Sequence, residues 1–166
     1  MRSAEKVKDQ IREAFASVPY PGETRLRASD ESDEPFAVER DFRGKGDWRT
    51  LDPQFIDRSP DGLASALSMF SDEAFRFYLP AFMIADLDGR LKFSDPVFHL
   101  THGLDDASWS ERINPRRYRD ETWSEYAAER FARFTLEEAA AIVAFLTLRA
   151  EQNALDRERI DQALRN

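Results

Sequence analysis

Apolar residues recur along most of this chain at the spacing of one helical face, and seldom in strict alternation. Val7, Ile11, Ala14, Phe15 and Val18 follow that period with Lys and Glu between them, which predicts a helix from Ser3 or Ala4 to about Ser17. PYPG (Pro19–Gly22) ends it, because two prolines and a glycine cannot continue a helix. The acidic stretch ASDESDEP (Ala28–Pro35) reads first as the next helix start, with Asp33 as cap, Pro35 in the first turn and carboxylates at the positive end of the dipole, and alternatively as a contact for a basic partner or a cation. That helix carries Phe36, Val38 and Phe42 and stops at Gly44. RGKGDW (Arg43–Trp48) lacks the spacing of a phosphate loop and reads as a helix end followed by a turn. The segment from Asp52 to Ser59 reads as irregular, and Pro60–Gly62 as the lead-in to a short helix through Phe70.

Ser71, Asp72 and Glu73 mark a fresh helix start before AFRFYLPAFMIAD (Ala74–Asp86). Phe75, Leu79, Phe82 and Met83 share one stripe there with Tyr78 beside it, and Pro80 predicts either a kink or a restart. The run is too short and too charged for a membrane span, since Arg76 lies inside it and Asp86 and Asp88 follow. It therefore reads as core. LDGR (Leu87–Arg90) is a turn, and LKFSDPVFHLTHGL fits a short helix opened by Asp95-Pro96 or a strand through Val97, Phe98 and Leu100. Leu104–Arg119 reads as loop. A helix is expected from about Glu121 to Arg133, with Trp123, Ala127, Phe131 and Phe134 roughly on one side.

TLEEAAAIVAFLTLRAEQ gives the strongest local signal. Thr135 and Glu138 have capping-box spacing, and Leu136 opens the apolar face. Ala139 to Leu146 is apolar without a break, which predicts a helix centre surrounded by protein. Helical character continues to Asn166, but Ile160, Ala163 and Leu164 leave the earlier stripe, so residues 156–166 are expected to fray or to touch another chain. The pattern as a whole predicts a mainly α, single-domain, bundle-like fold with irregular loops and at most a minor short β element.

Composition sharpens this picture. Charged residues make up 34% of the 166 positions, yet 12% are aromatic, enough to anchor a core that the charges then cover. The net charge of −8 disfavours a general nucleic-acid binder and suits a basic protein partner. Without cysteine there is no disulfide, thiolate metal site or cysteine nucleophile. The charged N-terminus has no apolar secretory core, so the expected location is the cytoplasm, with no membrane role.

Candidate chemistry is sparse. Both histidines lie in HLTH, and His99 with His102 at i, i+3 could hold a metal if Asp95 or Asp86 added a carboxylate. No GxSxG elbow accompanies them, and no catalytic residue or cofactor is predicted. In RINPRRYRDETW, Arg112, Arg116, Arg117 and Arg119 form the one local basic cluster, suited to a phosphate or carboxylate or to pairing with nearby acids.

EAFRFYLPAFMIADL (Glu73–Leu87), DPVFHLTHGL (Asp95–Leu104) and RFARFTLEEAAAIVAFL (Arg130–Leu146) together resemble an uncharacterised bacterial family of small cytoplasmic proteins, a domain of unknown function. The likeness covers most of the chain and carries no activity with it. By analogy of class only, such families sometimes include toxin-neutralising immunity proteins. The leading expectation is a non-enzymatic protein-binding module, as in an inhibitor of a basic toxin. The alternative is a small-ligand or metal-dependent enzyme with its site near His99, His102 and the Arg116–Arg119 cluster. Assembly through the C-terminal helix is a third.

Overall fold

The computed structural model describes residues 3–60 and 65–166, with the backbone alone for Arg117. The fold is mainly α. Among the described residues, β structure is confined to the isolated bridges Arg27–Phe70, Pro60–Ser65 and Arg112–Thr122. No helix among them is long and apolar enough to cross a membrane. Contacts divide the chain into two compact units, residues 3–96 and 97–166.

In the first unit, α1 (Ala4–Ala14) starts where Ser3 accepts a hydrogen bond from the Lys6 amide at 3.3 Å. It ends short of Ser17, in turn bonds from Ala16 to Glu13 and from Val18 to Phe15. A 3₁₀ turn, Glu23–Arg25, leads towards α2 (Asp33–Phe42). Asp33 is the first helical residue rather than the cap, and Pro35, Val38 and Phe42 form the buried side. Another 3₁₀ turn, Trp48–Thr50, precedes α3 (Pro53–Arg58), a helix in a segment expected to be irregular. The signal was an aspartate followed by proline: Asp52 caps the Gln54 amide, and Pro53 fills the first turn, where no N–H is needed. Residues 61–64, including the predicted Gly62 punctuation, lie outside the described residues; beyond them α4 (Ala66–Met69) is capped by Ser65.

The centre of this unit is α5 (Asp72–Leu87), capped by Ser71, which accepts from the Ala74 amide at 3.0 Å. It runs through Pro80 without restarting. Proline removes one intrahelical bond, but Phe77, Tyr78, Leu79, Ala81, Phe82 and Met83 on either side are all buried, and that burial outweighs the loss. Rings from α2, α5 and the residue that follows α4 meet here. Phe42 stands edge-on to Phe70 and Tyr78 at 4.9 and 4.8 Å, while Phe70 stacks on Tyr78 at 5.0 Å. The Tyr78 hydroxyl donates to the Lys45 carbonyl at 2.8 Å, and burial raises its phenol above the ordinary value. The expected aromatic core is therefore present at Phe75, Leu79, Phe82 and Met83, each fully enclosed.

Two buried charges pin loops onto this frame. Asp57 accepts from the amides of Lys92, Phe93 and Ser94 at 2.9, 3.0 and 2.9 Å, holding the chain after the Leu87–Arg90 turn. Lys8 meets Glu5 and Asp88 at 2.6 Å each, tying α1 to the end of α5.

The second unit opens within α6 (Pro96–Thr101), so the helical alternative for this stretch is the one adopted. A short α7 (Pro115–Tyr118), capped by Asn114, interrupts the predicted loop. Then come α8 (Trp123–Phe131), with a capping box between Thr122 and Glu125, and α9 (Leu136–Gln152), with the predicted box between Thr135 and Glu138. Asn153 ends α9 and caps α10 (Ala154–Arg165), which packs along α9 and buries Ile160 and Ala163. The C-terminal segment is thus a separate, docked helix. Its changed stripe records a new axis.

One glycine in this unit is irreplaceable. Gly103 has φ +90, and a Cβ there would lie 2.4 Å from the Trp123 carbonyl oxygen. Beside it Ser108 accepts from the Gly103 amide at 2.7 Å and donates to buried Asp105 at 2.9 Å.

Candidate functional site

The two histidines enter a ladder of rings. His102, just past α6, stacks on Phe98 at 4.8 Å and meets the Trp123 ring edge-on at 4.6 Å. Trp123 in turn contacts Tyr126 at 5.8 Å. Buried Arg130 donates to the Tyr126 hydroxyl at 2.6 Å and lies over its ring. His99 stands edge-on to Phe98 at 5.3 Å. Burial pushes the His99 imidazole down to about 4, with the charges of Arg130 and His102 adding to the shift. His99 is therefore neutral at pH 7.

Among the described residues, no group of three or more His, Asp or Glu side chains is placed to hold a metal ion. Asp95 is exposed ahead of α6, so the sequence-level set of His99, His102 and Asp95 is not gathered into such a group. The positive charge facing His99 is Arg130, which lies outside the arginine cluster named from sequence. The His99 imidazole is thus neutral, half-buried against the Phe98 ring and within the field of the buried Arg130 guanidinium.

The arginine cluster is a surface feature. Arg112 pairs with Asp120 at 3.3 Å, both largely exposed. Arg116 and Arg119 are exposed, and Arg117 lies in α7. Arg119 adopts φ +54, which turns the chain sharply after α7.

The acidic stretch is more organised. Arg27 binds Asp30 at 2.9 Å, pairs with Glu39 of α2, and lays its guanidinium 4.4 Å over the Phe36 ring. Phe36 remains 45% exposed, and Glu31, Asp33 and Glu34 stand exposed in the same segment. A hydrogen bond with Ser32 lowers the Glu34 carboxyl below its usual value. Sequence reasoning placed Phe36 with Val38 and Phe42. The helical period separates them, because Pro35, Val38 and Phe42 fall three and four apart and Phe36 does not.

The helix α9 corrects a second expectation. Its apolar centre is not enclosed on all sides: Leu136 is 86% and Val143 44% exposed, and Ala139 and Ala140 face solvent between them. Of the run Ala139–Leu146, Ala141, Ile142, Ala144, Phe145 and Leu146 are buried.

The family of unknown function DUF6714 matches residues 3–166, and the chain belongs to it. No curated protein and no solved structure matches the chain.

Proposed function

We propose that this chain is a non-enzymatic protein-binding module for a basic partner, engaged through the acidic surface between residues 27 and 41. One observation carries the reading: Arg27 is committed to Asp30 and Glu39 and covers one side of Phe36, while the neighbouring carboxylates and the rest of that ring stay exposed. Six carboxylates lie in this span against two arginines, Arg27 and Arg40, and Arg40 is itself paired with Asp41. The negative field steers a basic protein inwards, and a half-exposed aromatic gives it an apolar anchor. Neutralising a basic toxin in a bacterial cytoplasm, as an immunity protein does, is the sharpest form of this activity. The enzyme reading at His99, His102 and Arg116–Arg119 draws less support, because His99 is half-buried and neutral and, among the described residues, no group of three metal-ligating side chains includes it.

The test is affinity capture from a host lysate at low and high salt, with Phe36→Ala and Glu31→Lys/Glu34→Lys as controls. A specific basic partner should be retained at low salt, fall off by roughly tenfold or more as salt rises, and be lost with both variants. Capture that is indifferent to salt and to both variants would refute the reading.

A further inference from the structure

Within α9 the exposed apolar positions form a line. At 3.6 residues per turn, Leu136, Ala140, Val143 and Thr147 fall within about a sixth of the helix circumference, over about 16 Å of axis. The only polar side chain on that line is satisfied from within, since the Thr147 hydroxyl donates to the Val143 carbonyl at 2.7 Å and leaves its methyl to the surface. No charged residue occurs from Ala139 to Leu148. The two edges of the line differ. One is bounded by Leu146 and Ala150, both buried by the protein's own body. The other carries Glu137 and Glu151, both exposed and about four turns apart, with buried Ala144 between them, so the edges differ in charge rather than in cover. Arg149 falls on the far side of the helix at this period.

We propose that this face of α9 is a docking surface for a basic amphipathic helix of a partner protein. Its apolar residues, spaced i, i+4, i+7 and i+11, would lie on Leu136, Ala140, Val143 and Thr147, and its Lys or Arg side chains would pair with Glu137 and Glu151. Charge selects this occupant over a second copy of the chain. Two α9 helices laid antiparallel about a two-fold axis set like edge against like edge, bringing Glu137 and Glu151 of each copy together on chains that each carry −8. Laid parallel, the glutamate edge of one copy meets the edge where the body of the other covers Leu146 and Ala150. The surface belongs to the other compact unit from the acidic segment of residues 27–41, and the proposal does not depend on that segment.

The test titrates the full chain against two labelled peptides of about five helical turns with the same apolar stripe. One peptide is flanked by lysine and the other by glutamate. The lysine peptide should bind about tenfold or more tightly, Val143→Arg should weaken it by a similar factor, and Glu137→Lys/Glu151→Lys should invert the preference. The double variant changes only exposed side chains, so it decides the matter even if Val143→Arg alters the thermal midpoint. Equal binding of both peptides, or an unchanged preference in the double variant, overturns the proposal. So does concentration-dependent dimerisation of the chain that Val143→Arg abolishes. None of these variants touches Phe36, Glu31 or Glu34, so capture through the acidic surface reports separately.

Discussion

Lowering the pH through the histidine range should destabilise this protein by an amount that His99 alone can supply. In the unfolded chain an imidazole takes its proton near pH 6.5. In the fold, burial among Phe98 and its neighbours, with Arg130 and His102 close by, holds that step down to about 4. Above pH 6.5 both states are neutral there, and His99 contributes no pH dependence. Between 6.5 and 4 only the unfolded state binds the proton, so stability falls with pH. The linkage integral gives a loss of about 1.4 kcal/mol at pH 5.5 and about 2.5 kcal/mol at pH 4.5. Many carboxylates also titrate towards the lower end, so the informative quantity is a difference. Urea unfolding of the wild type and of His99→Gln should be compared at pH 7.5, 5.5 and 4.5. Whatever packing the variant loses is constant with pH; the gap between the two proteins should shrink or reverse by the amounts above on acidification. A gap that stays constant, or a His99 ring that titrates near 6.5 by NMR in the folded protein, would refute the assignment of that ring as half-buried and neutral.

Three further outcomes follow from the geometry. Asp57→Ala strands three amides, of which that of Ser94 is fully enclosed, and should cost about 3 kcal/mol in urea unfolding, with faster hydrogen exchange confined first to residues 92–94. Gly103→Ala combines a left-handed backbone with a collision against the Trp123 carbonyl and should lower stability by about 3 kcal/mol or more, measured as a drop in thermal midpoint of well over 5 °C. Arg112→Ala removes only an exposed pair with Asp120 and should change the unfolding free energy by less than about 0.5 kcal/mol; a larger loss would show that the cluster is structural.

How much of this was legible beforehand depended on which physical signal each element used. The period of Val7, Ile11 and Phe15, the cap at Ser71 and the box at Thr135 and Glu138 are local, and the structure keeps all three. The box at Thr122 and Glu125 was equally local, as was the cap-and-proline pair at Asp52-Pro53, so α3 and the start of α8 were readable by the same rule. Pro80 left a kink or a restart open, and the restart is not adopted because long-range burial opposes a propensity cost of about 3 kcal/mol that local sequence weighs alone. For α9, an unbroken apolar run says that the helix can be buried on any side, not that it is. Which side stays open is decided by where other segments lie, and no neighbour-to-neighbour spacing encodes that.

The acids raise the same problem in another form, and here the structure changes what the net charge means. A value of −8 describes the whole chain, but the carboxylates divide into those the fold uses and those it leaves outside. Asp57 and Asp105 are buried on backbone amides and a hydroxyl, Glu138 closes a capping box, and Asp88 and Glu39 hold Lys8 and Arg27. A partner sees these only faintly, because their fields are matched at close range by N–H groups or cations. The segment around Glu31, Asp33 and Glu34, and the α9 edge at Glu137 and Glu151, are different: they are exposed, and each borders an apolar group that water covers in the free protein, Phe36 in one case and Leu136 with Val143 in the other. Charge alone would attract any cation and specify none. It is the pairing of charge with nearby uncovered carbon that requires an occupant of defined shape, since only a partner that also displaces water from the ring or the stripe gains the apolar term.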